Sequence, residues 1–275
     1  MYNLALALGI ATLAFVLGWL GGNTWIAGFV PGLVAVGVAY FLLARRTGRQ
    51  LEDIMKRAMA EFDNLKPEKL MAMAQRTRNE KAVREYQASV LQKARTILEE
   101  GYALDRWQFL IGAQVHAQLG AIDYLERKWS DARGHLEKSW SRNWLSQTQL
   151  AAIDWREDKK PAALARMEKT KGPASKEALF WGVYAWMLLE SGDRDKAVRV
   201  ADEGLKAVPG SGPLKEMVDA LRNQKKLKTS VWGDAWYQIF PEHLTPEQER
   251  AMAEKYAQQR GQYGPPQPRK GFRPR

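Results

Sequence analysis

The three histidines are the residues whose chemistry would best suit metal binding or proton transfer. His116, His135 and His243 are not spaced for joint metal binding, and His116 and His135 are predicted to lie on separate helices. Structural zinc sites usually take their ligands from closely spaced positions. The chain has no cysteine, which excludes disulfide bonds, thiolate catalysis and cysteine-ligated metals. The sequence therefore predicts no metal site and no cofactor.

The acidic and glycine-rich positions also lack a catalytic arrangement. Glu99-Glu100 and Glu157-Asp158 are predicted at helix ends, where carboxylates are solvated or cap the helix. A phosphate-binding glycine loop follows a strand, and the soluble part carries no strand pattern. Pro209-Gly-Ser-Gly212 follows a helix and is predicted to be a turn. We therefore expect a binding protein and not an enzyme.

The net charge of +11 is concentrated at two places. Arg45, Arg46 and Arg49 lie together with no acidic residue among them, and residues 260–275 carry five basic and no acidic side chains. The rest of the chain is close to neutral. This distribution is typical of contact with anionic lipid headgroups, and it makes duplex nucleic acid an unexpected partner.

Two uncharged apolar stretches occupy the N-terminus, Asn3–Leu20 and Trp25–Ala44. A helix that crosses a bilayer needs about 20 apolar residues, and both stretches meet that length. Gly28 and Gly32 are spaced so that two such helices can approach closely. The sequence predicts a transmembrane helical hairpin over residues 1–46. A cleaved signal peptide is the alternative for the first stretch.

The arginines after the second stretch predict the orientation of this hairpin. Arg45, Arg46 and Arg49 follow it directly, and the turn between the stretches has no basic residue. By the positive-inside rule, both termini are expected on the cytoplasmic side of a bacterial inner membrane.

The stretch Leu179–Pro209 has the pattern of a helical hairpin with small residues where the two helices cross. A single hairpin cannot bury both faces, and two weaker copies lie upstream, in 116–144 and 148–170. Both copies share Ala-Ile-Asp, at 121–123 and 152–154. The positions predicted to pack the repeats are Leu119, Gly120, Ala132, Leu150, Ala151, Ala163, Trp181, Ala185, Ala197, Gly204 and Pro209.

These residues make the chain resemble the tetratricopeptide repeat, whose period is about 34 residues, over roughly residues 105–210. The pattern departs from the family where Asp123 and Asp154 replace the usual aromatic. An irregular helical bundle is the alternative. The resemblance implies an all-α solenoid that binds an extended peptide or helix of a protein partner in its concave groove. Carried onto this sequence, it places these residues near the groove, with core packing as the alternative for the tryptophans: Gln114, Tyr124, Trp155, Arg156, Trp186 and Glu190.

The remaining segments are assigned by periodicity and composition. Residues 47–79 are predicted as juxtamembrane linker helices that pack on the solenoid or lie on the membrane, and 80–228 as the solenoid. Within the solenoid we expect a helix over 105–126, repeats at 105–144, 145–175 and 177–209, and a capping helix at 213–224. Residues 229–259 hold an aromatic segment and a helix, and 260–275 a disordered basic tail that is solvated or binds lipid or protein. The aromatic segment is expected to close the end of the solenoid or to bind a partner.

The sequence thus predicts an all-α, membrane-anchored scaffold that recruits protein partners and contacts lipid. Its layout looks like that of the HemY-like bacterial proteins, which have two N-terminal spans followed by repeats. The alternative is a structural subunit of a membrane complex, for envelope biogenesis, secretion or motility, held mainly through its transmembrane helices.

Overall fold

The computed structural model describes residues 1–22, 24–77 and 79–243, and in these ranges the chain is helical and has no strand. The predicted basic tail and the helix before it, within 244–275, lie outside the described residues. The helices are α1 (Tyr2–Gly22), α2 (Trp25–Phe62), α3 (Pro67–Thr77), α4 (Glu80–Glu99), α5 (Tyr102–Asp105), α6 (Ile111–Leu125), α7 (Trp129–Leu136), α8 (Trp144–Arg156), α9 (Lys160–Thr170), α10 (Ala178–Glu190), α11 (Arg194–Ala207), α12 (Gly212–Arg222) and α13 (Asp234–Ile239).

Helices α1 and α2 form an apolar hairpin whose outer surface is exposed. A Cβ on Gly28 would collide with the backbone oxygen of Phe15, and one on Gly32 would lie 3.3 Å from the Ala11 oxygen. The two glycines therefore let the helices touch. Only 6% of the most apolar stretch of α1 and 11% of that of α2 is buried, whereas the core helix of a soluble protein is mostly buried. Both helices are long and apolar enough to cross a membrane.

Helix α2 joins this hairpin to the rest of the chain without a break. It has 38 residues and is about 57 Å long. Its C-terminal half buries Leu51 and Ala58 against Ala94 of α4 and Val115 of α6. The segment after the arginines therefore packs on the helical body, as in one of the two alternatives expected for it.

The predicted helix over 105–126 is interrupted. Residues Tyr102–Asp105 form the short helix α5, residues 106–110 form a loop, and α6 begins only at Ile111. Asp105 still caps α6, because its Oδ1 accepts the backbone N–H of Gly112 at 2.9 Å. Leu110, the residue before α6, has a left-handed backbone with φ of 66°.

Three antiparallel hairpins, α6–α7, α8–α9 and α10–α11, follow one another and are completed by α12. They cross at small residues: a Cβ on Gly120 would meet Leu136 at 2.7 Å, and one on Gly204 would meet Trp181 at 2.5 Å. The all-α fold class, with an apolar helical hairpin and a solenoid-like helical body, is confirmed. Of the residues predicted to pack the repeats, Pro209 is exposed and the others are buried, namely Leu119, Gly120, Ala132, Leu150, Ala151, Ala163, Trp181, Ala185, Ala197 and Gly204.

The two Ala-Ile-Asp copies form equivalent ion pairs between successive hairpins. Asp123 of α6 accepts from Arg95 of α4 at 2.6 Å, and Asp154 of α8 accepts from Arg133 of α7 at 2.7 Å. The same arginines also bond the carboxylates of Glu126 and Glu157. Each aspartate is buried and paired, so the departure from the tetratricopeptide pattern has a physical reason: the position holds the preceding helix and does not pack as an aromatic.

The crossing glycine of α11 leads to a first prediction. Gly204→Ala should lower the free energy of unfolding by about 1–3 kcal/mol, because the new methyl group overpacks against Trp181 and outweighs the gain in helix propensity. Gly134→Ala in α7 should raise it by up to about 1 kcal/mol, because nothing lies within 4 Å of the added Cβ. Urea unfolding followed by circular dichroism measures both changes. The same sign for the two variants would contradict the packing described here.

Candidate binding groove

The inner face of the stacked hairpins is lined by residues at the ends of their first helices. Tyr124 lies near the end of α6, Trp155 and Arg156 at the end of α8, and Trp186 in α10. The structure brings these four residues together, as Trp155 and Trp186 have ring centroids 5.7 Å apart and Arg156 Nη1 donates to the Tyr124 hydroxyl at 2.6 Å. Gln114 and Glu190, also predicted for the groove, are exposed.

Residues 229–243 cover this inner face, and we call them the covering segment. It begins with a 3-10 turn at Thr229–Trp232, passes through Gly233 with a positive φ of 57°, and continues as α13 and a second turn at Pro241–His243. Helix α13 contacts α8 and α10. Trp236, Ile239 and Phe240 of the covering segment are no more than 1% exposed.

Arg156 is the main polar contact between the groove and the covering segment. Its Nη2 donates to the backbone oxygen of Ile239 at 2.6 Å, and its Nε and Nη2 bind the two carboxylate oxygens of Glu242 at 2.9 and 2.8 Å. The guanidinium also lies 4.3 Å from the ring centroid of Trp129. The Tyr124 hydroxyl donates to the same Ile239 oxygen at 2.5 Å, and burial raises the pKa of this phenol. The Arg156 guanidinium and the Tyr124 hydroxyl thus hold the end of α13 in place, and the bonds that Arg156 forms are charge-assisted.

Aromatic rings form the apolar part of the same contact. Trp186 packs against Phe240, Trp236 and His243 with centroid distances of 4.7, 5.6 and 5.2 Å. Trp232 lies directly over Gly182 of α10, where a Cβ would collide with its ring. Ring pairs at these distances add to the free energy that their burial already contributes.

The sequence-based expectation of an open groove is therefore revised. Tyr124 is fully buried, and the side chain of Arg156 is 15% exposed, because the chain's own aromatic segment occupies the face that the resemblance assigned to a partner. That segment was expected to close the end of the solenoid or to bind a partner, and it instead runs along the inner face. The aromatic density at 231–240 was visible in the sequence, but no local pattern indicates that Arg156 pairs with Glu242, 86 residues away.

A second polar cluster joins residues that the sequence analysis kept apart. His116 of α6 and His135 of α7 have Nδ1 atoms 2.9 Å apart, and the Tyr102 hydroxyl lies 3.0 Å from His116 Nδ1. Burial is the main cause that lowers the pKa of His116, and the nearby His135 lowers it further. Among the described residues no group of three or more histidine, aspartate or glutamate side chains is placed to hold a metal ion. The cluster connects the two helices of the first hairpin.

His243 is expected to make the covering segment sensitive to pH. Its Nδ1 accepts the Trp236 indole N–H at 3.0 Å, and the ring stacks on Phe240. Burial lowers the pKa of His243 below its usual 6.5; Glu242 and Glu190 oppose this shift, and Arg156 adds to it. The neutral ring therefore stabilises the folded segment above pH 6.5, and this stability is lost as the pH falls through the lowered pKa.

We expect the free energy that protects the amides of residues 234–240 from hydrogen exchange to decrease between pH 7.5 and pH 5.5. Exchange rates corrected for intrinsic chemistry measure it. In His243→Phe, which keeps the stacked ring, the decrease should disappear; the same decrease in this variant would refute the assignment.

Comparisons with known proteins assign no family. No protein-family model matches the chain, and no curated protein matches it. Solved structures that match include one described as the crystal structure of MamA, with a TM-score of 0.41 and 14% identity, covering 62% of this chain and 96% of that one. At this level of similarity no property is transferred from it. The chain's own helices define the class: an all-α protein with an apolar N-terminal hairpin and a body of stacked helical hairpins whose inner face is covered by its own segment.

Proposed function

We propose that this protein is a scaffold that is anchored by its N-terminal hairpin and recruits protein partners to the cytoplasmic face of a bacterial inner membrane. The observation that carries the proposal is the continuity of α2. One helix runs from an exposed apolar hairpin into the core of a stacked-hairpin body, where Leu51, Ala58 and Leu98 pack together. A body held at a fixed place on the bilayer raises the local concentration of whatever it binds.

Charge supports the cytoplasmic orientation. Arg45, Arg46 and Arg49 are exposed on α2 just beyond its apolar part, and the α1–α2 turn has no basic residue. Asn3 of α1 donates to Thr47 of α2 at 2.9 Å, so the beginning of α1 lies at the same level as these arginines. The positive-inside rule then puts that level, and the body beyond it, in the cytoplasm. The two-span layout is the feature that the chain would share with HemY-like proteins.

The partner, in this proposal, is a short helix or extended peptide with aromatic and acidic residues. The covering segment supplies the model for it, because Trp236 and Phe240 fill the apolar part of the groove and Glu242 pairs with Arg156. A partner with this chemistry binds the inner face by taking the place of the covering segment. We propose no catalytic role, and turnover of broad hydrolase substrates by the purified chain would contradict that.

The alternative function is a structural subunit held mainly through its spans. It is favoured by the outer surface of the hairpin, where Leu13, Leu17 and Leu33 are more than 60% exposed and free to pack on other spans. In that case the body is a spacer.

An exchange of the hairpin distinguishes the two functions. Residues 1–44 are replaced by an unrelated two-span hairpin of the same topology, and proteins that co-purify with the tagged chain from membranes are compared. A scaffold should keep the partners of the native chain, and Phe240→Ala with Glu242→Ala, which weakens the covering segment and leaves Arg156 in place, should increase their recovery. Loss of all partners on hairpin exchange would contradict the scaffold and support the subunit.

A further inference from the structure

The loop 106–110 between α5 and α6 lies against the beginning of α1. The backbone N–H groups of Tyr2 and Asn3 donate to the carbonyl oxygens of Arg106 and Trp107 at 2.9 and 3.1 Å. The rings of Tyr2 and Trp107 meet edge to face with centroids 5.3 Å apart. The body is therefore attached to the hairpin at two places, through α2 and through this loop.

The length of α1 sets the depth of this loop in a membrane. Helix α1 has 21 residues and is about 32 Å long, which matches the roughly 30 Å thickness of the hydrocarbon core. When α1 spans the bilayer, Tyr2 lies where the hydrocarbon ends and the headgroups begin. Tyrosine and tryptophan favour that depth, and Tyr2 and Trp107 meet there.

Two large apolar side chains of the loop have no cover. Phe109 is 50% exposed and Leu110 is 44% exposed. Leu110 keeps a left-handed backbone, with φ of 66°, which is uncommon for a residue other than glycine. An apolar pair held in water by a strained backbone is unfavourable unless another apolar phase receives it.

Two arginines lie beside the beginning of this loop. A cleft between α2 and the loop is lined by Arg46, Thr47 and Gln50 on one side and by Arg106 and Trp107 on the other. The ion pairs found within residues 1–22, 24–77 and 79–243 include neither of these two arginines nor the adjacent Arg45. The cleft thus presents positive charge that is not neutralised by the described carboxylates.

We propose that the loop 106–110 and the cleft beside it form a third membrane contact, which takes anionic phospholipid. Phe109 and Leu110 enter the boundary between headgroups and acyl chains, and Arg46 and Arg106 bind the headgroup phosphate. The contact is continuous with the spans, so it rests on the proposed anchoring. It fixes the orientation of the body, because a rigid unit held at two helices and a loop cannot pivot about α2.

The absence of cysteine in the chain allows single labels to test this contact in the full protein. Phe109→Cys, Leu125→Cys and Leu17→Cys each receive an environment-sensitive fluorophore, and the protein is reconstituted in vesicles of phosphatidylcholine with or without 30% phosphatidylglycerol. Leu125 is a matched control because its exposure, 53%, is close to that of Phe109. It is the last residue of α6, at the end opposite the loop. Leu17 reports the span.

A lipid-borne spin label should quench the Leu17 probe in both vesicle types. The Phe109 probe should be quenched at least twice as strongly as the Leu125 probe in vesicles with phosphatidylglycerol. Equal quenching at Phe109 and Leu125, with Leu17 quenched, would overturn the third contact, leave the anchoring intact and point to a protein on this surface. No quenching at Leu17 would overturn the anchoring itself.

The charge part of the contact is tested in the labelled Phe109→Cys chain. Arg46→Gln with Arg106→Gln should reduce binding of phosphatidylglycerol to the loop by roughly tenfold or more, since each arginine near an anionic surface contributes about fivefold. The control pair is Arg199→Gln with Lys206→Gln, both exposed on α11. An unchanged dependence on phosphatidylglycerol in the first pair, or an equal loss in the second, would contradict the headgroup site.

Discussion

Replacing Arg156 with alanine should detach the covering segment and lower the free energy of unfolding by about 3 kcal/mol. Arg156 is the single side chain that binds the Ile239 oxygen, the Glu242 carboxylate and the Tyr124 hydroxyl together. Its removal leaves the Ile239 oxygen with only the Tyr124 hydroxyl as donor and takes the guanidinium from the partly exposed Glu242 carboxylate. A hydrogen bond to a charged group contributes about 1.5–3 kcal/mol. Hydrogen exchange of residues 234–240 and urea unfolding in detergent measure the two effects.

The conservative and the control variants sharpen this prediction. Arg156→Lys should keep little of the stability that Arg156 contributes. One ammonium group cannot replace a guanidinium that forms four bonds to three partners. Arg222→Ala removes a two-bond contact with Asp202 at the surface, and it should change the free energy of unfolding by less than about 1 kcal/mol. Protection of residues 234–240 that survives in Arg156→Ala would mean that the aromatic contacts alone hold the segment.

Asp154→Ala should destabilise the body by about 3 kcal/mol through the contact between the first and second hairpins. Asp154 is 3% exposed and accepts from Arg133 of α7 and Arg166 of α9 at 2.7 and 3.2 Å. Without it, two partly buried guanidinium groups lose their common acceptor. Thermal unfolding followed by circular dichroism checks the change.

The control for this variant is an aspartate in an exposed pair. Asp53 pairs with Arg57 one turn along α2, and its side chain is 72% exposed. Asp53→Ala should cost about 0.5 kcal/mol or less. Equal losses in the two variants would show that burial of Asp154 adds nothing to the stability of the body.

The helical class can be predicted from the sequence because it depends on patterns between residues that are close along the chain. Apolar runs of span length, and small residues at regular positions such as Gly120, Ala163 and Gly204, depend only on neighbours along one or two helices. The buried Asp123 and Asp154 were visible as a repeated departure from the tetratricopeptide pattern. Their arginine partners lie in other helices, so the pattern alone gave no reason for them.

The length of α2, the position of the covering segment and the histidine cluster depend on contacts between residues that are distant in sequence. The charges at Arg45 and Arg49 suggested the end of a span, but arginine is a good helix former and α2 continues through them. The covering segment looked like a closing element, and its place on the inner face is decided by Arg156 and Trp186, which lie far away in sequence. His116 and His135 meet only because α6 and α7 are antiparallel.

The central claim, a body held on the cytoplasmic side by two spans, is tested most directly by labelling single cysteines with a membrane-impermeant maleimide. Thr24→Cys lies in the turn between α1 and α2, and Lys226→Cys lies in the exposed link before the covering segment. In intact spheroplasts Thr24→Cys should be labelled at once and Lys226→Cys only after lysis, while the protein stays in the membrane through an alkaline wash. Labelling of Lys226→Cys before lysis, or release of the protein by the wash, would contradict the account.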